Sequence, residues 1–117
     1  IGETLSEKRK KITNKILAKQ IKVGLKSIKD TSKVIIAYEP VWSIGTGLIP
    51  KSKDLLKSIS YIKSKFGKKT PKVLYGGSVN NKNIAQLKDI NVIDGFLVGG
   101  ASQSSKKFID IIKKTFN

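Results

Sequence analysis

The feature that most constrains the fold is the alternation of short apolar runs with longer amphipathic segments along the chain. The run "KVIIAYE" (33–39) is continuous and rich in β-branched residues, which predicts a strand buried on both faces. The runs "KVLYGG" (72–77) and "IDGFLVGG" (93–100) predict two further strands. The opening "IGE" has the character of the end of another strand. Strands alternating with helices indicate βαβ units and a parallel sheet, an α/β fold.

The segments between these runs predict helices. The first extends from a cap at Thr4 or Ser6 to about Ile28, and the second from a cap at Ser52 to a stop at Gly67. A brief helix over 83–88 and a last one over 104–116 follow. The apolar residues expected to face the core are, helix by helix, Ile12, Ile16, Ile21, Leu25 and Ile28, then Leu55, Ile59, Ile62 and Phe66, then Ile84 and Leu87, and finally Phe108, Ile109, Ile112 and Phe116.

The net charge of +16 raises the question of a polyanionic partner. Arg9 is the only arginine among 24 basic residues, although base readout and bidentate phosphate contacts favour arginine. The lysines fall on the polar faces of predicted helices. This pattern favours a solvated surface with weak, salt-sensitive attraction to polyanions, and no specific nucleic-acid partner.

Composition also excludes several classes of protein. The 117 residues contain no Cys and no His, which excludes disulfides and thiolate metal sites and makes zinc improbable, so we expect no metal. No run approaches the roughly 18 apolar residues of a membrane helix, and no signal peptide opens the chain, which favours a cytoplasmic protein without a membrane partner. Because the chain starts with Ile-Gly-Glu and has no Met, we expect residues 1–117 to be a single partial domain, without internal boundary, of a longer protein.

Chemistry-bearing residues follow the predicted strands. Glu39 ends the first strand, "YGGS" (75–78) follows the second, and Gly99 and Gly100 follow the third. Ligands of parallel α/β folds bind at this edge of the sheet, where glycine amides can approach an anion closely. Ser78 could add a further donor. Two simpler readings stay open: the glycines could serve tight turns, and Glu39 could cap a segment or pair with a lysine.

The segment after Glu39 has the character of a lid. Pro40 fixes the entry, Trp42 is a bulky apolar flap, and Gly45 and Gly47 permit a large backbone change at the exit. A lid that excludes water would strengthen the electrostatics of a carboxylate acting as a base. The predicted lid comprises Pro40, Val41, Trp42, Ser43, Ile44, Gly45, Thr46 and Gly47.

The motifs "IGETLSEKR", "AYEPVWSIGTG", "LYGGSV" and "DGFLVGGAS" resemble, in order and spacing, the carboxyl-terminal half of the triosephosphate isomerase family. The resemblance implies parallel (β/α) units forming the second half of a TIM (β/α)₈ barrel. It also implies interconversion of dihydroxyacetone phosphate and glyceraldehyde 3-phosphate through an enediolate, in glycolysis and gluconeogenesis, without metal or cofactor. By this resemblance Glu39 is the catalytic base, 40–47 is the lid, and Gly45, Ser78, Gly99 and Gly100 bind the substrate phosphate.

The sequence also departs from the family. A barrel takes roughly 250 residues, and the family's electrophilic lysine and histidine come from the first half of the barrel. We therefore expect an amino-terminal half-barrel as partner, a homodimeric parent enzyme, and an inactive isolated chain. Ser43 is a mild variation within the lid. The alternatives are another phosphosugar-binding TIM-barrel enzyme or a non-catalytic phosphate- or polyanion-binding domain.

Overall fold

The computed structural model describes residues 1–117. Helices and strands alternate along the chain, as the sequence predicts. The elements are α1 (Leu5–Arg9), α2 (Thr13–Gly24), β1 (Ile35–Tyr38), α3 (Ser52–Ser64), β2 (Lys72–Tyr75), α4 (Ile84–Lys88), β3 (Gly95–Phe96) and α5 (Ser105–Phe116). Short 3₁₀ turns lie at Thr31–Lys33, Gly67–Lys69 and Gly100–Gln103.

The three strands form one parallel sheet in the order β1-β2-β3. Tyr38 pairs with Tyr75, and Tyr75 pairs with Phe96, so the carboxyl ends of all three strands lie at one edge. The third strand is shorter than predicted. Hydrogen bonds from the Asp94 and Leu97 amides to β2 nevertheless extend the pairing on both sides of it.

The first three residues lie beside β1. The terminal amino group of Ile1 donates to the Ala37 carbonyl over 2.8 Å, and the Glu39 amide donates to the Ile1 carbonyl over the same distance. The Val41 amide continues this pattern to the Glu3 carbonyl at 3.0 Å. Residues 1–3 therefore hold the start of the lid segment in place.

The core lies on one face of the sheet. Ile36, Tyr38, Val73 and Tyr75 point into it and are almost fully buried, whereas Ile35 is 65% exposed. The prediction that "KVIIAYE" is buried on both faces is therefore wrong for this chain, because helices cover only one side of the strands. The buried apolar cluster comprises Leu17, Ile21, Ile36, Tyr38, Leu55, Ile59, Ile62, Val73, Tyr75, Val79, Ile84, Leu87, Ile90 and Ile111.

The predicted first helix is broken into α1 and α2. Thr4 caps α1, and its hydroxyl and the Glu7 carboxylate exchange hydrogen bonds with each other's backbone amides. The helix then ends at Lys11, whose φ is +58°. The amides of Lys11 and Ile12 bond back to Lys8 and Glu7 in the Schellman arrangement. The break also shifts the buried stripe, since Leu17 and Ile21 are buried while Ile28 is exposed.

The other helices follow the predictions in part. In α3, Leu55, Ile59 and Ile62 are fully buried as expected. Ser52 is the first helical residue and not the cap, because Lys51 occupies the cap position without a side-chain hydrogen bond.

The inward face predicted for the last helix is wrong. Ser104 caps α5 as expected, but Ile111 is its buried residue, while Phe108, Ile109, Ile112 and Phe116 are each more than a third exposed. The helix packs mainly on α4 and on the 3₁₀ turn Gly100–Gln103, and these neighbours leave most of its apolar stripe uncovered. None of the five helices combines the length and apolar character needed to cross a bilayer.

Candidate active site

Glu39 directly follows β1 and reaches the carboxyl edge of the sheet. Its side chain lies against Gly76, where a Cβ would stand 2.8 Å from the Glu39 Cγ and 3.0 Å from Oε1. No protein group donates a hydrogen bond to this carboxylate, and its oxygens belong to none of the three ion pairs. Glu39 therefore neither caps a segment nor pairs with a lysine through its side chain.

One cavity of about 550 Å³ collects the predicted site residues from three strand ends. Glu39 is the only acidic residue that lines it, and Lys82 and Lys107 are the two basic ones. The cavity is therefore suited to a small anionic ligand with one carboxylate close by. The predicted residues lining it are Glu39, Ile44, Gly45, Gly47, Ser78, Gly99 and Gly100.

Backbone N–H groups without a protein acceptor surround this cavity. The amides of Gly45, Gly99 and Gly100 donate to no protein atom. A Cβ at Gly99 or Gly100 would meet no protein atom within 4 Å, so close packing within the chain does not explain these two glycines. Gly45 differs, because its φ of +67° favours glycine for backbone reasons. Free amides around open space are the arrangement that binds phosphate oxygens.

The buried Glu3 carboxylate holds the side of the lid that carries Trp42. The Trp42 indole donates to Glu3 Oε1 over 3.3 Å, and Lys8 Nζ lies 3.7 Å from the centre of the Trp42 ring. Glu3 is 2% exposed and also accepts from the Tyr38 hydroxyl, at 3.2 and 3.1 Å. Burial, together with the adjacent Glu3 charge, raises the pKa of Tyr38, and a phenol is in any case protonated and able to donate at neutral pH. Trp42 thus packs on the opposite side of the lid from the cavity.

Other lid residues shape the segment itself. Pro40 is buried, Val41 is exposed, and the Thr46 hydroxyl donates within the lid and accepts from the Leu48 amide. Ser43 is fully buried and joins the lid to the turn after β2 by contacts with Tyr75 and Ser78. A Cβ at Gly77 would come 2.6 Å from Ser43 Oγ, so this glycine makes room for the lid.

Comparison with known proteins identifies the relatives of this chain. The sequence profile of the family described as Triosephosphate isomerase matches residues 1–115. The chain belongs to the triosephosphate isomerase family. It is 42% identical to the triosephosphate isomerase of Debaryomyces hansenii, over 97% of this chain and 48% of that protein. It is 47% identical to that of Yarrowia lipolytica, over 96% of this chain and 47% of the relative.

A solved structure shows the same relationship for the fold. The crystal structure of triosephosphate isomerase from Bartonella henselae superposes with a TM-score of 0.86 at 31% identity, over all of this chain and 49% of that chain. The prediction of parallel (β/α) units that form half of a TIM barrel is thereby confirmed. The chain spans about half the length of the triosephosphate isomerases that it matches.

Two residues that line the cavity, and the contacts of one lid residue, were not expected from the family resemblance. Lys82 and Lys107 line the cavity, each in the segment that follows a glycine pair. Their position after the glycine pairs could have indicated a place in the site, but lysine is too abundant elsewhere in the sequence for these two to be distinguished. Ser43 was treated as a mild variation of the lid, because no local pattern shows that its hydroxyl contacts Tyr75 at the end of β2 and Ser78 beyond it.

Proposed function

We propose that this protein functions in the isomerisation of triose phosphates, interconverting dihydroxyacetone phosphate and glyceraldehyde 3-phosphate. The observation that carries the proposal is the meeting, in one cavity, of an unpaired strand-end carboxylate with free amides from two separate segments, the lid and the turn after β3. Membership of the triosephosphate isomerase family supports the choice of substrate. The proposed place of action is the glycolytic and gluconeogenic metabolism of the cytoplasm.

Glu39 is the proposed base. Its carboxylate takes a proton from the hydroxyl-bearing carbon beside the substrate carbonyl, giving an enediolate. It returns the proton to the former carbonyl carbon, while the hydroxyl proton passes from one substrate oxygen to the other. Because no protein group donates to the carboxylate, both oxygens are available to accept the proton. A positioned base of this kind contributes about 10²- to 10⁴-fold in rate.

The phosphate group is proposed to bind the amides of Gly45, Gly99, Gly100 and Ser78. Hydrogen bonds from N–H groups to a charged oxygen are roughly twice as strong as those between neutral groups. Gly45 belongs to the lid, so phosphate binding would favour a lid position that covers Glu39. Water exclusion by the lid would then strengthen the electrostatics around the enediolate.

The groups that polarise the substrate oxygens are proposed to come from a partner, an amino-terminal half-barrel. The 117 residues contain no His, which removes one of the two electrophiles expected for this chemistry. The proposed active form is the barrel made with that partner, in a homodimeric parent enzyme. We expect the chain by itself to have negligible isomerase activity.

The test combines a binding and a catalytic measurement. Inorganic phosphate is titrated into the ¹⁵N-labelled 117-residue chain, and the Gly45, Gly99 and Gly100 amide signals should move with one saturable dissociation constant. Isomerase activity is then measured for the chain with and without the complementary half-barrel. Glu39→Gln should abolish activity in the assembled form and leave phosphate binding unchanged. Asp89→Asn, at an exposed acid outside the cavity, is the matched control.

The same titrations separate the alternatives. Binding of phosphate at the glycine amides with a fully active Glu39→Gln assembly would favour another phosphosugar enzyme. The unpaired lysines favour the third candidate, a polyanion-binding domain, since only Lys63, Lys72 and Lys114 form ion pairs. Steeply salt-dependent nucleic-acid binding without any response at the glycine amides would support that candidate.

A further inference from the structure

The Gln20 side chain is bonded to the backbone of Gly2 at two points. Its Oε1 accepts from the Gly2 amide over 2.9 Å, and its Nε2 donates to the Gly2 carbonyl oxygen over 3.1 Å. The Gly2 amide can only donate and the carbonyl can only accept, so the two partners set the orientation of the Gln20 amide group. No other backbone group bonds to Gly2. Gln20 therefore satisfies both polar groups of this residue, as a neighbouring strand would.

Gln20 extends from a helix that is anchored in the core. It belongs to α2, in which Leu17 is fully buried and Ile21 is 9% exposed. These two residues lie three positions before and one position after Gln20, which is itself partly buried. The side chain that bonds Gly2 consequently starts from a backbone that packing holds in place.

Gly2 in turn packs against the main chain of Glu39. A Cβ added at Gly2 would overlap the Glu39 carbonyl group, so the two backbones are in direct contact. The residues on either side of Gly2 bond to the same segment. The Ile1 carbonyl accepts from the Glu39 amide over 2.8 Å, and the Glu3 carbonyl accepts from the Val41 amide over 3.0 Å. The main chain around Glu39 is thus held by a short segment that Gln20 holds from its other side.

We propose that Gln20 is a positioning residue for the base, acting through Gly2 on the backbone of Glu39. The inference rests on the proposed function, since it takes Glu39 as the base. Gln20 does not line the cavity, so its effect is on the place from which the carboxylate reaches the substrate. A misplacement of about 1 Å at a reacting group costs on the order of 10²-fold in rate, so a smaller backbone shift already matters.

Loss of this link should slow the chemical step and leave substrate binding nearly unchanged. The amides proposed to bind phosphate include those of Gly45, in the lid, and of Gly99 and Gly100, after β3. They bond to no residue of the chain, and hence to neither Gly2 nor Gln20. We therefore expect a change in kcat with little change in KM.

Hydrogen exchange tests the positional part of the inference. Gln20→Met removes both hydrogen bonds and keeps the length of the side chain. In the ¹⁵N-labelled 117-residue chain, the amides of Glu39 and Val41 should then exchange about tenfold faster, the equivalent of about one lost hydrogen bond. The Leu97 amide, which donates to the Tyr75 carbonyl between β3 and β2, should exchange as before. A merely structural role would accelerate all three amides alike, because general destabilisation acts on the whole chain.

The catalytic part is tested in the enzyme assembled with the complementary half-barrel. Gln20→Met should lower kcat, expressed per folded enzyme, about tenfold and leave KM within about twofold. Lys19→Met is the matched control, since Lys19 is the preceding residue of α2, is exposed and makes no side-chain hydrogen bond. It should change neither the exchange rates nor kcat.

Gln20→Glu keeps the inference testable if the Met variant does not fold. A carboxylate can still accept from the Gly2 amide, but at neutral pH it has no proton to donate to the Gly2 carbonyl. Exchange at Glu39 should again be faster and kcat lower than in the unaltered protein. Unaltered exchange and kcat in this variant would overturn the inference.

The outcomes separate this inference from the proposed function. Equal acceleration of all amides, or an unchanged kcat for Gln20→Met beside an inactive Glu39→Gln enzyme, would overturn the role of Gln20 and leave the proposed function in place. Full activity of the Glu39→Gln enzyme would overturn the proposed function, and with it any role for Gln20 in placing the base.

Discussion

The Glu39 side chain lies against the bare α-carbon of Gly76, at the meeting point of the first two strand ends. The pairing of Tyr38 with Tyr75 fixes this contact, because Glu39 and Gly76 are the next residues in register. The sheet therefore positions the proposed base by backbone pairing, with a glycine leaving the space that the carboxylate occupies.

Gly76→Ala is expected to displace Glu39 without closing the phosphate site. The added Cβ would come 2.8 Å from Glu39 Cγ, and the flexible side chain must shift. A displacement of about 1 Å at a reacting group costs on the order of 10²-fold in rate. Isomerase activity of the assembled enzyme should fall by that amount, while phosphate affinity of the chain stays within about twofold.

Gly24→Ala is the matched control for this change. A Cβ at Gly24 would meet no atom within 4 Å, so activity should be unaltered. Full activity of Gly76→Ala would show that the close contact does not set the position of the base.

Gly100→Ala is expected to affect binding and not folding. Its Cβ would meet no protein atom within 4 Å, and the residue lines the cavity. A methyl group there should obstruct the approach of phosphate and weaken its binding about tenfold, with the free energy of unfolding changed by less than about 0.5 kcal/mol. Phosphate titration and urea denaturation check the two parts, and unaltered affinity would place the phosphate elsewhere.

Lys82 and Lys107 are expected to strengthen phosphate binding through their charge. They are the basic residues of the cavity, and neither pairs with an acid. Lys82→Gln or Lys107→Gln should each weaken phosphate binding about threefold, with a smaller effect at high salt because screening reduces the interaction. Lys53→Gln, at an exposed lysine away from the cavity, should leave the affinity unchanged. An equal loss for all three variants would indicate a general effect of net charge.

Asp94 gives the fold a dependence on pH. Partial burial opposes ionisation, but the hydrogen bonds from Lys63 and from the Val73 amide, both 2.8 Å, outweigh it and lower the pKa of this carboxyl. Because the pKa of the Asp94 carboxyl is lower in the folded chain, its stabilising effect is fully present above the pKa of an aspartate in the unfolded chain, about 3.9. The effect is lost as the pH falls through the pKa of the carboxyl in the folded chain. Asp94→Asn should reduce the free energy of unfolding at pH 7 by about 1 kcal/mol.

Urea denaturation at several pH values checks this prediction. The difference between the Asp94→Asn chain and the unaltered chain should shrink below about pH 4, where the carboxyl is protonated. A difference that stays constant from pH 7 to pH 3 would contradict the assignment. Asp89→Asn is again the control, because Asp89 lies outside every ion pair.

The sequence predicted the order of elements and the strand-end position of the site, because both depend on local patterns of apolar residues and glycines. It did not predict the break at Lys11, since a left-handed residue that ends a helix is usually glycine and lysine carries no such signal. The buried face of α5 was also wrong. Periodicity locates an apolar stripe, but the neighbouring elements decide which part of it is covered.

Within the candidate site, Glu39, the glycine-turn residues and part of the lid line one cavity, yet their hydrogen bonds could not be read from the sequence. Whether Glu39 forms an ion pair depends on lysines distant in the chain. Because lysine is abundant, the sequence left open both an ion-paired and a free carboxylate. The link from Ser43 to Ser78 spans 35 residues and depends on the register of two strands.

The uncovered face of the sheet has a consequence for the heat capacity of unfolding. A chain of 117 residues ordinarily gives an increment of about 1.4 to 1.8 kcal/mol/K, because unfolding exposes its apolar interior to water. Here only 22 residues are buried, and Ile35 on β1 and Leu97 just after β3 are already exposed in the folded chain. Calorimetry should therefore find a smaller heat-capacity increment of unfolding and a flatter curve of stability against temperature. Any partner that covers this face should raise the increment and make the midpoint temperature depend on its concentration.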